Sequence, residues 1–158
     1  TEVFGVCGGA GAYRRSALDK AGWFDESFFM YYEDVDLAWR LQLAGWRTIY
    51  APRAVVFHHL TSGGSVTASY YGGRNTIYVL AKDVPGPLLR KYWRAMFVTQ
   101  CHIAMDALRS WRGAAARARL RGQFVGLLTW PRMLGQRRIV QRSRRVSIEY
   151  LENLLKQH

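Results

Sequence analysis

Pro85, Gly86 and Pro87 split this 158-residue chain into two stretches of different texture, and no regular element can run through them unbroken. Ahead of them the apolar runs are short and closely punctuated. Residues 3–7 are β-prone and lead into Gly8, Gly9 and Gly11, where a backbone can approach a ligand closely. Ser16 followed by Asp19 resembles a capping box and Gly22 a stop, which predicts a short helix over 17–21. Asp34 opens a second helix, with Val35, Ala38 and Leu41 at helical spacing and Gly45 at its end. Residues 47–51, closed by Pro52, and 54–58 read as strands. The polar, Gly-rich stretch 61–65 reads as a loop, and 66–82 as a helix despite Gly72 and Gly73. Strands and helices interleaved in this way predict an α/β class.

Beyond the break the period lengthens. Leu89, Trp93, Met96 or Phe97, Cys101, Ala104, Leu108 and Trp111 recur every three to four residues, one face of a long helix with arginines at both ends. A second basic and apolar stretch covers 114–130, and Ser147 can cap a last helix with Ile148, Leu151 and Leu155 inward. Charge divides at the same place. Residues 1–84 hold eight basic and eight acidic side chains. Residues 85–158 hold fifteen basic ones against Asp106, Glu149 and Glu152, and so carry the whole net charge of +12. Such a segment calls for an anionic partner, either a membrane surface or a nucleic acid.

Composition removes several classes. At 49% hydrophobic and 14% aromatic, the chain can bury a core. Cys7 and Cys101 make no disulfide framework and no Cys-x-x-Cys pair, which excludes a structural zinc site. The uncharged run 54–73 contains two His and four Gly and is no membrane span, while the other apolar runs are too short for one. The opening Thr, with no charged and apolar leader behind it, predicts no signal peptide and a fragment of something longer.

Three features can carry chemistry. In FFMYYEDVDLAWRL, residues 28–41, Glu33, Asp34 and Asp36 follow directly on a wall of aromatics. Taken alone they read as an N-cap at Asp34, helix-dipole partners at Glu33 and Asp36, and core rings. The second is AVVFHHL. His58 and His59 point to opposite faces of a strand, so at most one joins any single site, and as an isolated pair they read first as structural. The third is YYGGRN, where Arg74 can grip a phosphate with two donors or simply lie in solvent.

Taken in order and at this spacing, the pieces resemble family 2 glycosyltransferases, in particular the rhamnosyltransferase-like branch. The likeness covers roughly residues 4–82: GGAGAYRRSALDKAGWFDESFFMYYEDVDLAWRLQLAGW, RTIYAPRAVVFHH, YYGGRN and Lys82. It implies the C-terminal half of a GT-A fold over 1–84, followed by basic amphipathic helices over 85–158. It implies inverting transfer from a nucleotide-diphospho-sugar to a hydroxyl of a glycan or lipid-linked acceptor. It gives Asp34 the role of catalytic base. Glu33 and Trp39 become acceptor-binding, His58 the ligand of a divalent metal (Mg²⁺ or Mn²⁺), and Arg74 a diphosphate contact. Asp36 and Arg40 become supports behind the site. The resemblance also implies a place in cell-envelope polysaccharide synthesis, in the cytoplasm at the inner face of the membrane.

One departure is large. The nucleotide-binding half with its DxD motif, which the resemblance implies, is not among these 158 residues, and the one D-x-D among them is Asp34–Asp36, which the resemblance places on the acceptor side. The expectation is that this polypeptide alone has little or no transferase activity. The rival reading is a basic module that attaches to an anionic membrane surface or a nucleic acid without catalysis. No helix-turn-helix, zinc or RRM pattern favours nucleic acid. Alternating Trp, Phe, Leu and Arg favours a lipid surface.

Overall fold

The computed structural model describes residues 1–57 and 65–156. Its elements are β1 (Glu2–Val3), α1 (Arg15–Ala21), α2 (Glu33–Leu43), β2 (Thr48–Ile49), α3 (Val66–Lys82), α4 (Gly86–Arg109), α5 (Ala114–Thr129), α6 (Met133–Arg142) and α7 (Ile148–Lys156), with a 3₁₀ turn at Glu26–Phe28. β1 and β2 pair antiparallel, Glu2 with Ile49 and Val3 with Thr48. Among the described residues the arrangement is mainly helical, with one small sheet. Residues 4–7 and 54–57 form no strand; among the described residues β1 and β2 make the one ladder.

α2 is the centre. Residues 36–43 are buried without interruption. Leu37 and Leu41 pack with Ala17 and Leu18 of α1, while Trp39 and Leu43 pack with Phe28, Tyr78, Val79, Leu88, Met133, Val140 and Leu151. That second cluster draws on both sides of Pro85, so the break in composition is not a break in packing. Tyr150 Oη, from α7, directs its one proton to Glu2 Oε1 at 2.6 Å, with Gln42 Oε1 also within reach at 3.1 Å. The Arg145 N–H donates to the Leu43 carbonyl at 2.7 Å.

Two expected caps are corrected. α1 starts at Arg15, so Ser16 lies inside the helix and caps nothing; Gly22 ends it as expected, at φ +86°, where a side chain would be strained. α2 starts at Glu33 with Tyr32 as its cap residue, so Asp34 is the second helical residue. Ser147 does cap α7, accepting the Tyr150 N–H at 3.0 Å.

α3 and α5 touch backbone to backbone. A Cβ placed on Gly122 would lie 2.0 Å from the Tyr70 carbonyl oxygen, and one on Gly73 2.6 Å from that of Arg119. The glycines of α3, helix-breaking by propensity, are what let it seat against α5. α6 then covers the end of α3: Arg137 Nη1 donates to the carbonyls of Ala81 and Val84 at 3.0 and 2.9 Å, and Gln141 Nε2 to that of Asp83 at 2.8 Å.

Candidate active site

The turn that enters α2 is held in an uncommon conformation. Phe29, Tyr31 and Tyr32 all have positive φ, 63°, 61° and 70°, costly for side chains of this size. α3 holds the turn in place. Asn75 Nδ2 faces the carbonyls of Phe28, Met30 and Tyr31 at 2.9, 3.0 and 2.7 Å. Arg74 Nη2 donates to those of Ser27 and Phe28 at 2.8 and 3.0 Å, and Arg74 Nε to Asn75 Oδ1 at 2.8 Å. The Arg74 guanidinium also lies over the rings of Tyr71 and Tyr78. Arg74, expected at the diphosphate, thus spends Nε and Nη2 on clamping the turn.

The clamped turn sets Glu33 and Asp34 against a cavity of about 580 Å³, lined by Cys7, Gly8, Gly9, Ala10, Tyr31, Tyr32 and Val56 besides the two acids. Asp34 Oδ2 accepts the Gly8 N–H at 2.9 Å, and Oδ1 accepts that of Val35 at 2.8 Å. Each oxygen keeps a further lone pair. Glu33 Oε2 is buried with no hydrogen-bond partner among the described residues. Tyr13, which the sequence did not single out, stands close by. Burial, and then the negative charge of Asp34, raise its phenol above the ordinary tyrosine value.

Trp39 does not line this cavity. It is 6% exposed and meets Phe4 edge to face at 4.7 Å between ring centres, a contact that braces α2. Asp36 and Arg40 lie on the far side of α2. Asp36 Oδ2 accepts from Arg40 Nε and Nη2 at 2.9 and 2.7 Å, and Arg40 also donates to the carbonyls of Ala21, Gly22 and Trp23. Lys82 contacts both Asp36 and Asp25. Burial pushes Asp25 upward, but the hydrogen bonds from Lys82 and Ser27 with the Lys82 charge together outweigh it, and the carboxyl ends below its ordinary value. This ion cluster ties α1, α2 and α3 together behind the cavity. The sequence hint of it was Lys82, at the end of the resemblance.

His58 and His59 lie outside the described residues. Among the described residues no three His, Cys, Asp or Glu side chains converge to hold a metal ion. The ligand set for the expected metal is thus not completed by what is described.

A cavity with two carboxylates at its edge, one oriented by a backbone amide, can take a proton from a bound hydroxyl. The chain matches the glycosyl transferase family group 2 over residues 1–134 and belongs to that family. It is 45% identical over 85 residues to the N-acetylglucosaminyl-diphospho-decaprenol L-rhamnosyltransferases of two Mycobacterium tuberculosis strains, CDC 1551 / Oshkosh and ATCC 25618 / H37Rv, a match covering 52% of this chain and 26% of each relative. The chain thus spans about a quarter of the length of these curated relatives. No solved structure matches it significantly.

Proposed function

We propose that the chain supplies the acceptor side of an inverting glycosyl transfer, from a nucleotide-diphospho-sugar to a hydroxyl of a glycan or lipid-linked acceptor. The observation that carries this is Asp34, its carboxylate set on the cavity by the Gly8 amide in a chain of this family. An acceptor hydroxyl in the cavity hands its proton to Asp34 as its oxygen attacks the anomeric carbon; the diphosphate leaves from the opposite face. One displacement inverts that carbon, and one base suffices. Glu33, which lines the cavity beside Asp34, orients the acceptor by accepting from a second hydroxyl. Arg74 and Asn75 act through the turn they hold.

The name of the relatives, with its lipid diphosphate and rhamnose, is what favours a lipid-linked acceptor and a rhamnosyl donor. The GT-A placement of residues 1–84 belongs to the same proposal, resting on the family. So does a Mg²⁺ or Mn²⁺ ion at His58; when bound, such an ion offsets negative charge on the leaving diphosphate. The stereochemistry of the product tests the reading in the protein expressed from its own gene. Inversion at the transferred sugar is expected, and a retained configuration overturns the single displacement.

A further inference from the structure

The apolar face of the long helix is largely uncovered among the described residues. α4 buries Leu88 and Ala107 and packs through Leu89, Tyr92 and Met96. At steps of three and four, Arg90, Arg94, Phe97, Cys101, Met105 and Leu108 instead form an exposed stripe, with Trp93 beside it. α5 carries a second stripe, Arg117, Arg121, Phe124 and Leu128, with Leu127 at its border. The rings are well out in solvent: Phe97 is 63% exposed and Phe124 61%.

The two stripes share one side. A short connection joins α4 to α5, and the bond from Gln123 Nε2 to Gln100 Oε1, 3.0 Å, lies equally far from it on each helix. The helices are therefore antiparallel. Seen from its own N-terminus, each right-handed helix turns clockwise as it recedes, and on each the stripe lies clockwise of the side meeting its partner. In an antiparallel pair that puts both stripes on the same side of the hairpin. The buried positions, Leu88 on α4 with Ala118 and Gly122 on α5, lie counterclockwise, toward the core.

Charge decides what can cover this surface. Residues 86–129 hold eight Arg or Lys and one acid, Asp106, which pairs with Arg109 at 3.1 Å. A second copy would bring the same positive face against itself. A nucleic acid would satisfy the arginines but leave Leu108, Leu127 and Leu128 in water. We propose that the α4–α5 hairpin docks on an anionic lipid bilayer, its apolar side chains entering the headgroup boundary and its arginines meeting lipid phosphates. No described helix is long and apolar enough to cross a membrane, so this contact lies in the interface plane. The inference goes beyond glycosyl transfer and needs no sugar donor, so its failure leaves the role of Asp34 untouched.

Vesicle sedimentation and tryptophan emission of the full 158-residue chain test it, with phosphatidylcholine vesicles with and without phosphatidylglycerol, at low and high salt. Binding only to the anionic vesicles, a blue shift of the emission, and a fraction still bound at high salt are expected, because the apolar part is not screened. Phe97→Ser, Phe124→Ser and Leu128→Ser together weaken binding at both salts by about tenfold or more. Arg90→Gln, Arg94→Gln and Arg121→Gln weaken it at low salt by about fivefold each. All six side chains are exposed, so unchanged thermal melting shows the fold intact. No binding to anionic vesicles, complete release by salt, a concentration-dependent dimer that shields the tryptophans, or displacement of the vesicles by an oligonucleotide would each overturn the proposal.

Discussion

Asn75 reaches across from α3 to the carbonyl of Tyr31, 2.7 Å away, and so fixes the turn that delivers Asp34 to its cavity. Three residues of that turn have positive φ and do not hold it by their own preference. Asn75→Ala leaves the carbonyls of Phe28, Met30 and Tyr31 without their shared donor. The expected result is a loss of about 1–3 kcal/mol in stability, read by urea denaturation. Transfer activity should fall further than the unfolded fraction explains. Asn75→Asp, which cannot donate when ionised, should not rescue it; a rescue would show that the amide is not what holds the turn.

Gly122 meets the α3 backbone with no room to spare. Gly122→Ala should raise helix propensity and yet destabilise by about 1–3 kcal/mol, because the collision is with a carbonyl oxygen and not with a side chain that can swing away. A thermal melt at or above that of the parent would mean that the two helices are not this close.

Arg40 and Asp36 form a pair with side chains 8% and 0% exposed. Arg40→Ala leaves the buried Asp36 carboxylate only Lys82, which it shares with Asp25, and frees three carbonyls, for an expected loss of about 3–5 kcal/mol. Arg40→Lys, one compact charge in place of a fork, should recover only part of it. Equal stability of the lysine variant and the parent in urea would contradict the role given to the fork.

Asp83 is fully buried, and among the described residues neither of its oxygens has a hydrogen-bond partner. Burial first, then the Asp36 charge, raises its pKa well above the ordinary 3.8. The native state therefore keeps a proton that the unfolded chain has released. This favours folding most below the unfolded value, and the advantage is lost as pH rises through the native one. Asp83→Asn should flatten that decline and leave the protein more stable at neutral pH. Urea midpoints across a pH series check this; parallel curves for variant and parent would count against it.

Much of this was legible where local rules decide. The α3 limits, the Gly22 stop and the Ser147 cap follow from side chains acting on their own turn. The Glu33–Asp34 cluster stood out because like charges side by side need a reason. What stayed hidden is what depends on distant partners. The clamp by Arg74 and Asn75 on residues 27–31 joins segments more than 40 positions apart. Tyr150 on Glu2 and Gln42 joins opposite ends of the chain. Apolar spacing in α4 announced a helix, but spacing does not say which face finds a neighbour. Asp34 and Ser16 looked like caps by residue type, whereas backbone conformation at Tyr32 and Arg14 set the true starts.

The most direct measurement is transfer by the Asp34→Asn variant of the protein expressed from its own gene, with donor binding followed in parallel. Asparagine keeps the size of the side chain and an oxygen for the Gly8 amide but accepts no proton. Loss of about 10²–10⁴-fold in kcat with donor affinity nearly unchanged is the predicted result. Turnover equal to that of the parent would contradict the assignment of Asp34 as the base.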